Sequence, residues 1–215
     1  QGGLRPPPSH PRRGVSLLET LIAAGLLALL LTYVYQFLVA ATRYQKGCMA
    51  ALELQKQSLT GMSALTAELS ESAYASVKDD PPGLIFASPR DANGKVSYDG
   101  SGRVLWRCWV GYYPDMVNGR PCLVRKTLPI NPPGATPPSP DGQSTAAFRS
   151  LQSPVKTRVV HLRDRPPWSG GGFSLAKVPA PTGGRGRVDL VLRCRRVELG
   201  EAFELELKST LELMQ

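Results

Sequence analysis

The sequence predicts an α+β fold in which one long N-terminal helix packs against an antiparallel sheet. The helix is indicated by an uncharged apolar run from Thr20 to Thr42, which continues without a proline into a segment with helical periodicity. The sheet is indicated by the last segment, where apolar or small residues alternate with polar ones from Phe203 to Leu213. A strand with one apolar and one charged face belongs to an antiparallel sheet covered on one side. The helix is the natural cover.

The chain divides into four segments along its 215 residues. Residues 1–14 are polar and rich in proline, and we exclude them from the fold as a leader peptide. Residues 15–42 form a helix long enough to span a bilayer. Residues 43–78 continue this helix as an amphipathic segment, and residues 79–215 form a β-rich globular domain. Two successive prolines after Asp80 stop the helix.

Large apolar residues of the amphipathic segment form a stripe that requires a covering surface. They recur at intervals of three, four or seven residues: Leu52, Leu59, Met62, Leu65, Leu69, Ala73 and Val77. Gly47 and Gly61 each weaken the helix by up to about 1 kcal/mol, which allows a bend near either.

The β-rich domain shows period-two patterns separated by turn residues. Strands are predicted over 83–88, 96–98, 103–113, 122–128, 155–162, 188–194 and 203–213. Tight turns are predicted at 99–102 and 198–201. Loops are predicted at 114–121, around the Asn118-Gly119 turn signal, at the Pro-rich stretch 131–147, and at 165–172 and 179–186.

Glu19 lies just inside the apolar run, where an unpaired charge costs at least a few kcal/mol. An ionisable group in such a place indicates a function if a partner can be named. Cleavage between Gly14 and Val15 would create that partner, because the new α-amino group of Val15 would be a cation near the depth of Glu19.

These residues resemble the class III signal of type IV prepilins and type II secretion pseudopilins: a basic leader ending in Gly14, a hydrophobic first mature residue, Val15, and a glutamate at the fifth mature position, Glu19. Val15 departs from the usual phenylalanine. The resemblance implies that a prepilin peptidase cleaves after Gly14 and methylates Val15. It also implies that Glu19 pairs with the N-terminal amine of a neighbouring subunit, and that the fold is pilin-like.

Within that family the chain is most similar to the J-type minor pseudopilins and the W-type minor pilins. Gln36 stands where major subunits usually carry a proline, and the segment Leu65–Leu69 is similar to the corresponding segment of these minor subunits. The K-type tip subunit lacks the glutamate, so Glu19 argues against that type. The similarity implies a structural tip subunit of a type II secretion pseudopilus that supports protein secretion. The alternative is a minor type IV pilin for pilus assembly, adhesion or DNA uptake.

The implied partners are major and minor pseudopilins, the prepilin peptidase, the inner-membrane assembly platform and, before assembly, membrane lipid. The implied location is a single pass through the inner membrane with the C-terminal domain in the periplasm, followed by the filament. Orientation rests on the resemblance, because Arg12 and Arg13 precede the apolar run while Arg43 and Lys46 follow it closely.

Two other interpretations stay open. Glu19 could mark the edge of an ordinary signal anchor on a periplasmic protein of another role. Val39-Ala40-Ala41 could instead be a signal-peptidase site, which would release a domain beginning at Thr42. The apolar run is much longer than the roughly 7–15 residues of a secretory signal, and it carries Glu19.

The net charge is +9, and removing the three leader arginines would leave +6. A basic domain suits anionic lipid, acidic partners or nucleic acid. The densest downstream cluster, Arg193, Arg195 and Arg196, is where nucleic acid would bind; a solvated strand face is the ordinary interpretation.

The sequence predicts no enzyme, cofactor or metal site. It has two histidines, His10 and His161, and no catalytic or phosphate-binding motif. The stretch 91–94 resembles the start of a calcium loop, but the remaining ligand positions do not follow.

Four cysteines in an oxidising compartment allow three disulfide connectivities. Cys108 and Cys122 flank the loop at 114–121 and are a candidate pair across a hairpin. Cys48 and Cys194 could pair with each other, and two buried free thiols are the ordinary interpretation.

Overall fold

A computed structural model describes residues 16–91, 94–152, 155–163, 166, 171–179 and 185–213. Within them the chain is α+β, with a long N-terminal helix and antiparallel sheets, as predicted. The elements are α1 (Leu17–Ser70), a 3-10 turn (Tyr74–Ser76), β1 (Lys78–Asp80), β2 (Gly83–Ser88), β3 (Trp106–Val117), β4 (Arg120–Gly134), α2 (Thr145–Ser150), β5 (Lys156–Val160), β6 (Phe173–Val178), β7 (Gly186–Glu198) and β8 (Glu201–Leu213). The chain separates into two compact units, residues 1–46 and 47–215.

In the N-terminal unit, α1 exposes large apolar side chains around its whole circumference. They include Leu18, Leu21, Ile22, Leu26, Leu27, Leu30, Leu31 and Phe37. A helix that is apolar all round requires lipid or other protein around it. By length and composition, α1 can span a membrane.

In the C-terminal unit, one face of α1 is buried. Its buried residues are Ala50, Leu54, Ser58, Gly61, Met62, Leu65 and Leu69. The predicted stripe was wrong at two positions, because Leu52 and Leu59 are 64% and 48% exposed. The contact face instead passes through the small residues Ser58 and Gly61. A side chain at Gly61 would collide with Val159 of β5 and come within 3.0 Å of the Arg158 carbonyl oxygen, so α1 lies close against this strand.

The helix ends at Ser70, before the predicted limit at residue 78. Serine hydroxyls bind nearby backbone carbonyls and so compete with helical hydrogen bonding. Ser70 donates to the Ala67 carbonyl at 2.8 Å, and Ser72 donates to the Leu69 carbonyl at 2.7 Å. The chain then makes the short 3-10 turn and enters β1.

The larger sheet has the order β1-β2-β3-β4-β5, and every neighbouring pair is antiparallel. Its two faces belong to different cores. Tyr112 and Leu123 pack in the core that contains α1 residues such as Leu65. Tyr113 and Val124 pack in a second core with Phe148 of α2. A sheet covered on both faces needs the near-continuous apolar sequences that β2 and β3 have.

The β3–β4 hairpin is longer than predicted. Its turn is Asn118-Gly119 alone, with positive φ angles of 51° and 73°. Such a pair closes a two-residue hairpin and lets both flanking strands continue pairing. The predicted loop at 114–121 is therefore mostly strand. The Pro-rich stretch 131–147 is likewise not all loop, because β4 continues to Gly134 and α2 begins at Thr145.

The smaller sheet has the order β6-β7-β8. The predicted strands 188–194 and 203–213 and the turn between them are confirmed, and β8 alternates between half-buried and exposed residues. Strand β6 was missed, because its six residues follow a glycine-rich stretch without a clear alternation. Backbone hydrogen bonds from Arg163 to Arg193 (2.9 Å) and from Arg195 to His161 (2.8 Å) join β7 to the chain beyond β5.

Charged side chains fix the end of α1 to the larger sheet. The Glu68 carboxylate accepts hydrogen bonds from Arg125 of β4 at 2.7 Å and Arg158 of β5 at 2.6 Å. These three side chains are only 18%, 21% and 17% exposed. Glu71 accepts two hydrogen bonds from Arg90, each 2.6 Å long. The last turns of the helix are thus held on three parts of the sheet region.

Replacing Glu68 with glutamine should destabilise the fold by about 1–3 kcal/mol, because two mostly buried guanidinium groups lose their counter-charge. Urea unfolding of the full chain in detergent, followed by the fluorescence of the buried Trp106 and Trp109, measures this change. The control is Glu204→Gln, whose partner Arg195 lies 3.5 Å away on an exposed face. It should change stability by less than about 0.5 kcal/mol. Equal effects of the two substitutions would contradict the assigned role of Glu68.

Candidate functional site

The predicted assembly site lies at the start of α1. Gly14 and Val15 are outside the described residues. Ser16 immediately precedes the helix: its hydroxyl accepts a hydrogen bond from the Glu19 backbone N–H at 3.2 Å, and its carbonyl accepts one from the Thr20 N–H at 3.1 Å. Ser16 is therefore the N-cap of α1.

Ser16 and Glu19 have the spacing of a capping box, in which a serine caps the helix and a glutamate stands three residues later. This pattern is visible in the sequence, but the cap was not among the predicted features. Glu19 is exposed in the first helical turn, where the partial positive charge of the helix N-terminus favours a carboxylate. A local role therefore exists for Glu19 beside its predicted role in assembly. Glutamine can serve in a capping box but cannot form an ion pair, so the two roles are separable.

The threonines of the apolar run satisfy their hydroxyl groups inside α1. Thr20, Thr32 and Thr42 each donate to the carbonyl four residues earlier, at 3.0, 2.9 and 2.7 Å. A hydroxyl bonded within its own helix costs little in an apolar environment. These residues are therefore compatible with a helix surrounded by lipid or by other helices.

The basic cluster on β7 is paired with carboxylates. Arg193 lies 2.6 Å from Glu206, Arg195 lies 3.5 Å from Glu204, and Arg196 lies 3.1 Å from Glu198. Hydrogen bonds from Lys208 and Arg193 lower the pKa of Glu206 to about 2. This pairing reduces the positive charge available for phosphate groups on the strand where nucleic acid would bind.

The described part of the chain contains no cluster of three or more His, Cys, Asp or Glu residues that could hold a metal ion. Asp91 belongs to the stretch that resembles a calcium loop, and its Oδ1 accepts a hydrogen bond from the Lys95 N–H at 2.8 Å; Asn93 lies outside the described residues. Burial, followed by the charges of Arg196 and Arg120, lowers the pKa of His161. This shift favours the neutral imidazole.

The structure corrects the predicted disulfide. Cys108 pairs with Pro129 and Cys122 with Asp115, so the two cysteines stand far apart along the hairpin. They also point to opposite faces, Cys108 into the core with α1 and Cys122 into the core with α2. All four cysteines are free, and Cys48 alone among them is exposed. Burial raises the pKa of the Cys108 thiol to about 11.

No family model, no curated protein and no solved structure matches this chain.

Native protein purified without reductant should take up one iodoacetamide group at pH 8, on Cys48. The thiolate is the reactive form, and a thiol with a pKa of about 11 is ionised in only about one molecule in a thousand at that pH. Intact mass after unfolding should show four groups, and Cys48→Ser should show none in the native state. If two cysteines of the unfolded protein reacted only after reductant was added, a disulfide would be present and the assignment of four free thiols would be wrong.

Proposed function

We propose that this chain is a minor pilin-like subunit of a type II secretion pseudopilus, made as a membrane-anchored precursor. One observation carries the proposal. The single helix Leu17–Ser70 has an exposed, largely apolar first part and a second part with one face buried in the core of the antiparallel C-terminal unit. A signal that is removed would not need to continue as the central helix of the folded domain.

The proposed mechanism is mechanical. The apolar part of α1 is held in the bilayer and then enters the filament, where contacts with neighbouring helices replace contacts with lipid. In the precursor, cleavage after Gly14 creates the amine of Val15. Glu19 then pairs with such an amine on a neighbouring subunit, which offsets the cost of burying its charge and sets the register between subunits.

The C-terminal unit contacts other tip subunits or secreted proteins. These features are shared by minor type IV pilins. Gln36 and the segment Leu65–Leu69 favour a minor subunit of either system over a major one. The pairing of Arg193, Arg195 and Arg196 with glutamates supports a structural role over DNA uptake.

Co-expression with a prepilin peptidase tests the proposal through the intact mass and N-terminal sequence of the product. The expected product begins at N-methylated Val15. A Gly14→Val precursor should stay uncut, because a glycine before the cleaved bond is part of the proposed signal. A product beginning at Thr42, or an uncut chain in cells that process a control prepilin, would overturn the proposal.

A further inference from the structure

Strand β4 leaves its regular pairing with β3 near the start of the hairpin. Trp106 pairs with Gly134 and Cys108 pairs with Pro129, so Arg107 alone stands opposite residues 130–133. An irregularity of this kind redirects side chains and is frequent beside functional sites. Here the displaced segment of β4 opens a cavity against β3.

The cavity has a volume of about 480 Å³, which is within the range of sites for small ligands. Pro129, Ile130 and Pro133 form apolar walls, and Arg107, Thr127 and Asn131 contribute polar groups. Ligand sites typically combine mainly apolar walls with a few polar groups that fix orientation. The lining therefore fits an apolar molecule with one polar end.

Arg107 is the cation of this lining and forms no ion pair with a described residue. Its Nε atom is shielded from solvent and has no hydrogen-bond partner among the described residues, and no ion pair to Arg107 occurs there. By contrast, Arg90, Arg125 and Arg158 of the same region all contact a glutamate. A guanidinium group presents its N–H donors in a fixed fork that matches a carboxylate.

Asp91 also lines the cavity, and its carboxylate already accepts a hydrogen bond from Lys95. Its negative charge disfavours a ligand with two or more negative charges, such as a phosphate monoester. Among the anions that the Arg107 guanidinium could bind, the lining therefore favours one with a single negative charge, such as a carboxylate.

We propose that the bulge of β4 forms a binding site for a monocarboxylate carried on an apolar body. Arg107 binds the carboxylate, Thr127 and Asn131 offer further hydrogen bonds, and Ile130 with the two prolines contacts the apolar part. Two sources share this chemistry, a free organic acid and the C-terminal carboxylate of a polypeptide that ends in an apolar residue.

The test is a titration of the full chain in detergent micelles, followed by the NMR signal of the Arg107 Nε–H group and assigned with Arg107→Lys. N-acetyl-leucine is the first probe, its neutral amide is the matched control, and acetate is the control without an apolar part. N-acetyl-leucine should shift the signal to saturation. The amide and acetate should bind at least about tenfold more weakly, because each lacks one half of the recognised group.

Two variants separate the site from a general charge effect. Arg107→Gln should weaken binding of N-acetyl-leucine, measured by calorimetry, by at least about tenfold. Arg103→Gln removes a nearby exposed arginine that pairs with Asp99 and should leave the affinity within about twofold. Unchanged affinity in Arg107→Gln, or equal weakening in both variants, would overturn the proposal.

A short peptide ending in leucine, with its C-terminal amide as control, distinguishes the two sources. Tighter binding of N-acetyl-leucine identifies a free acid as the ligand, and tighter binding of the peptide identifies a chain terminus. The proposed site would be wrong if neither N-acetyl-leucine nor the peptide bound, or if acetate bound as tightly as they do. This result is independent of whether the chain is cleaved after Gly14.

Discussion

Burial of one face of α1 between Ala50 and Leu69 is the interaction on which the C-terminal unit depends. The same core receives side chains from that face, from the larger sheet and from the smaller sheet. Each large apolar side chain buried there contributes about 1.5–3 kcal/mol relative to exposure. Gly61 lets the helix approach β5 closely, and Glu68 fixes its end between two arginines. Without α1, both sheets would expose their apolar inner faces to water.

The two parts of α1 require different surroundings. In one part α1 must bury a single face, and in the other it is apolar all round and requires an apolar environment. The threonine hydroxyls of the apolar part are bonded within the helix, and Ser16 caps its first turn. These hydrogen bonds do not neutralise the charge of the Glu19 carboxylate. The proposed function gives that charge a partner, the N-terminal amine of a neighbouring subunit.

Much of the fold was predictable because its signals are local. The apolar run, the alternation in β8 and the Asn118-Gly119 turn each require only neighbouring residues. The buried face of α1 was predicted wrongly because small residues form its closest contact. A periodicity of large apolar residues does not detect Ser58 or Gly61. The predicted pairing of Cys108 with Cys122 was wrong because a disulfide depends on strand register and on the face of the sheet that each residue occupies. The cavity at Arg107 also depends on strand register, whereas the capping-box spacing of Ser16 and Glu19 was visible in the sequence.

The most direct test of the account separates the charge of Glu19 from its place in the capping box. We would compare Glu19→Gln with Ser16→Ala by measuring the fraction of the chain recovered in sheared filaments from cells with a complete assembly system. Glutamine keeps the capping pattern and removes the charge, so Glu19→Gln should reduce recovery by at least about tenfold, while Ser16→Ala should stay within about twofold of the wild type. Normal recovery of Glu19→Gln, or an equal loss in both variants, would show that Glu19 serves only to begin the helix.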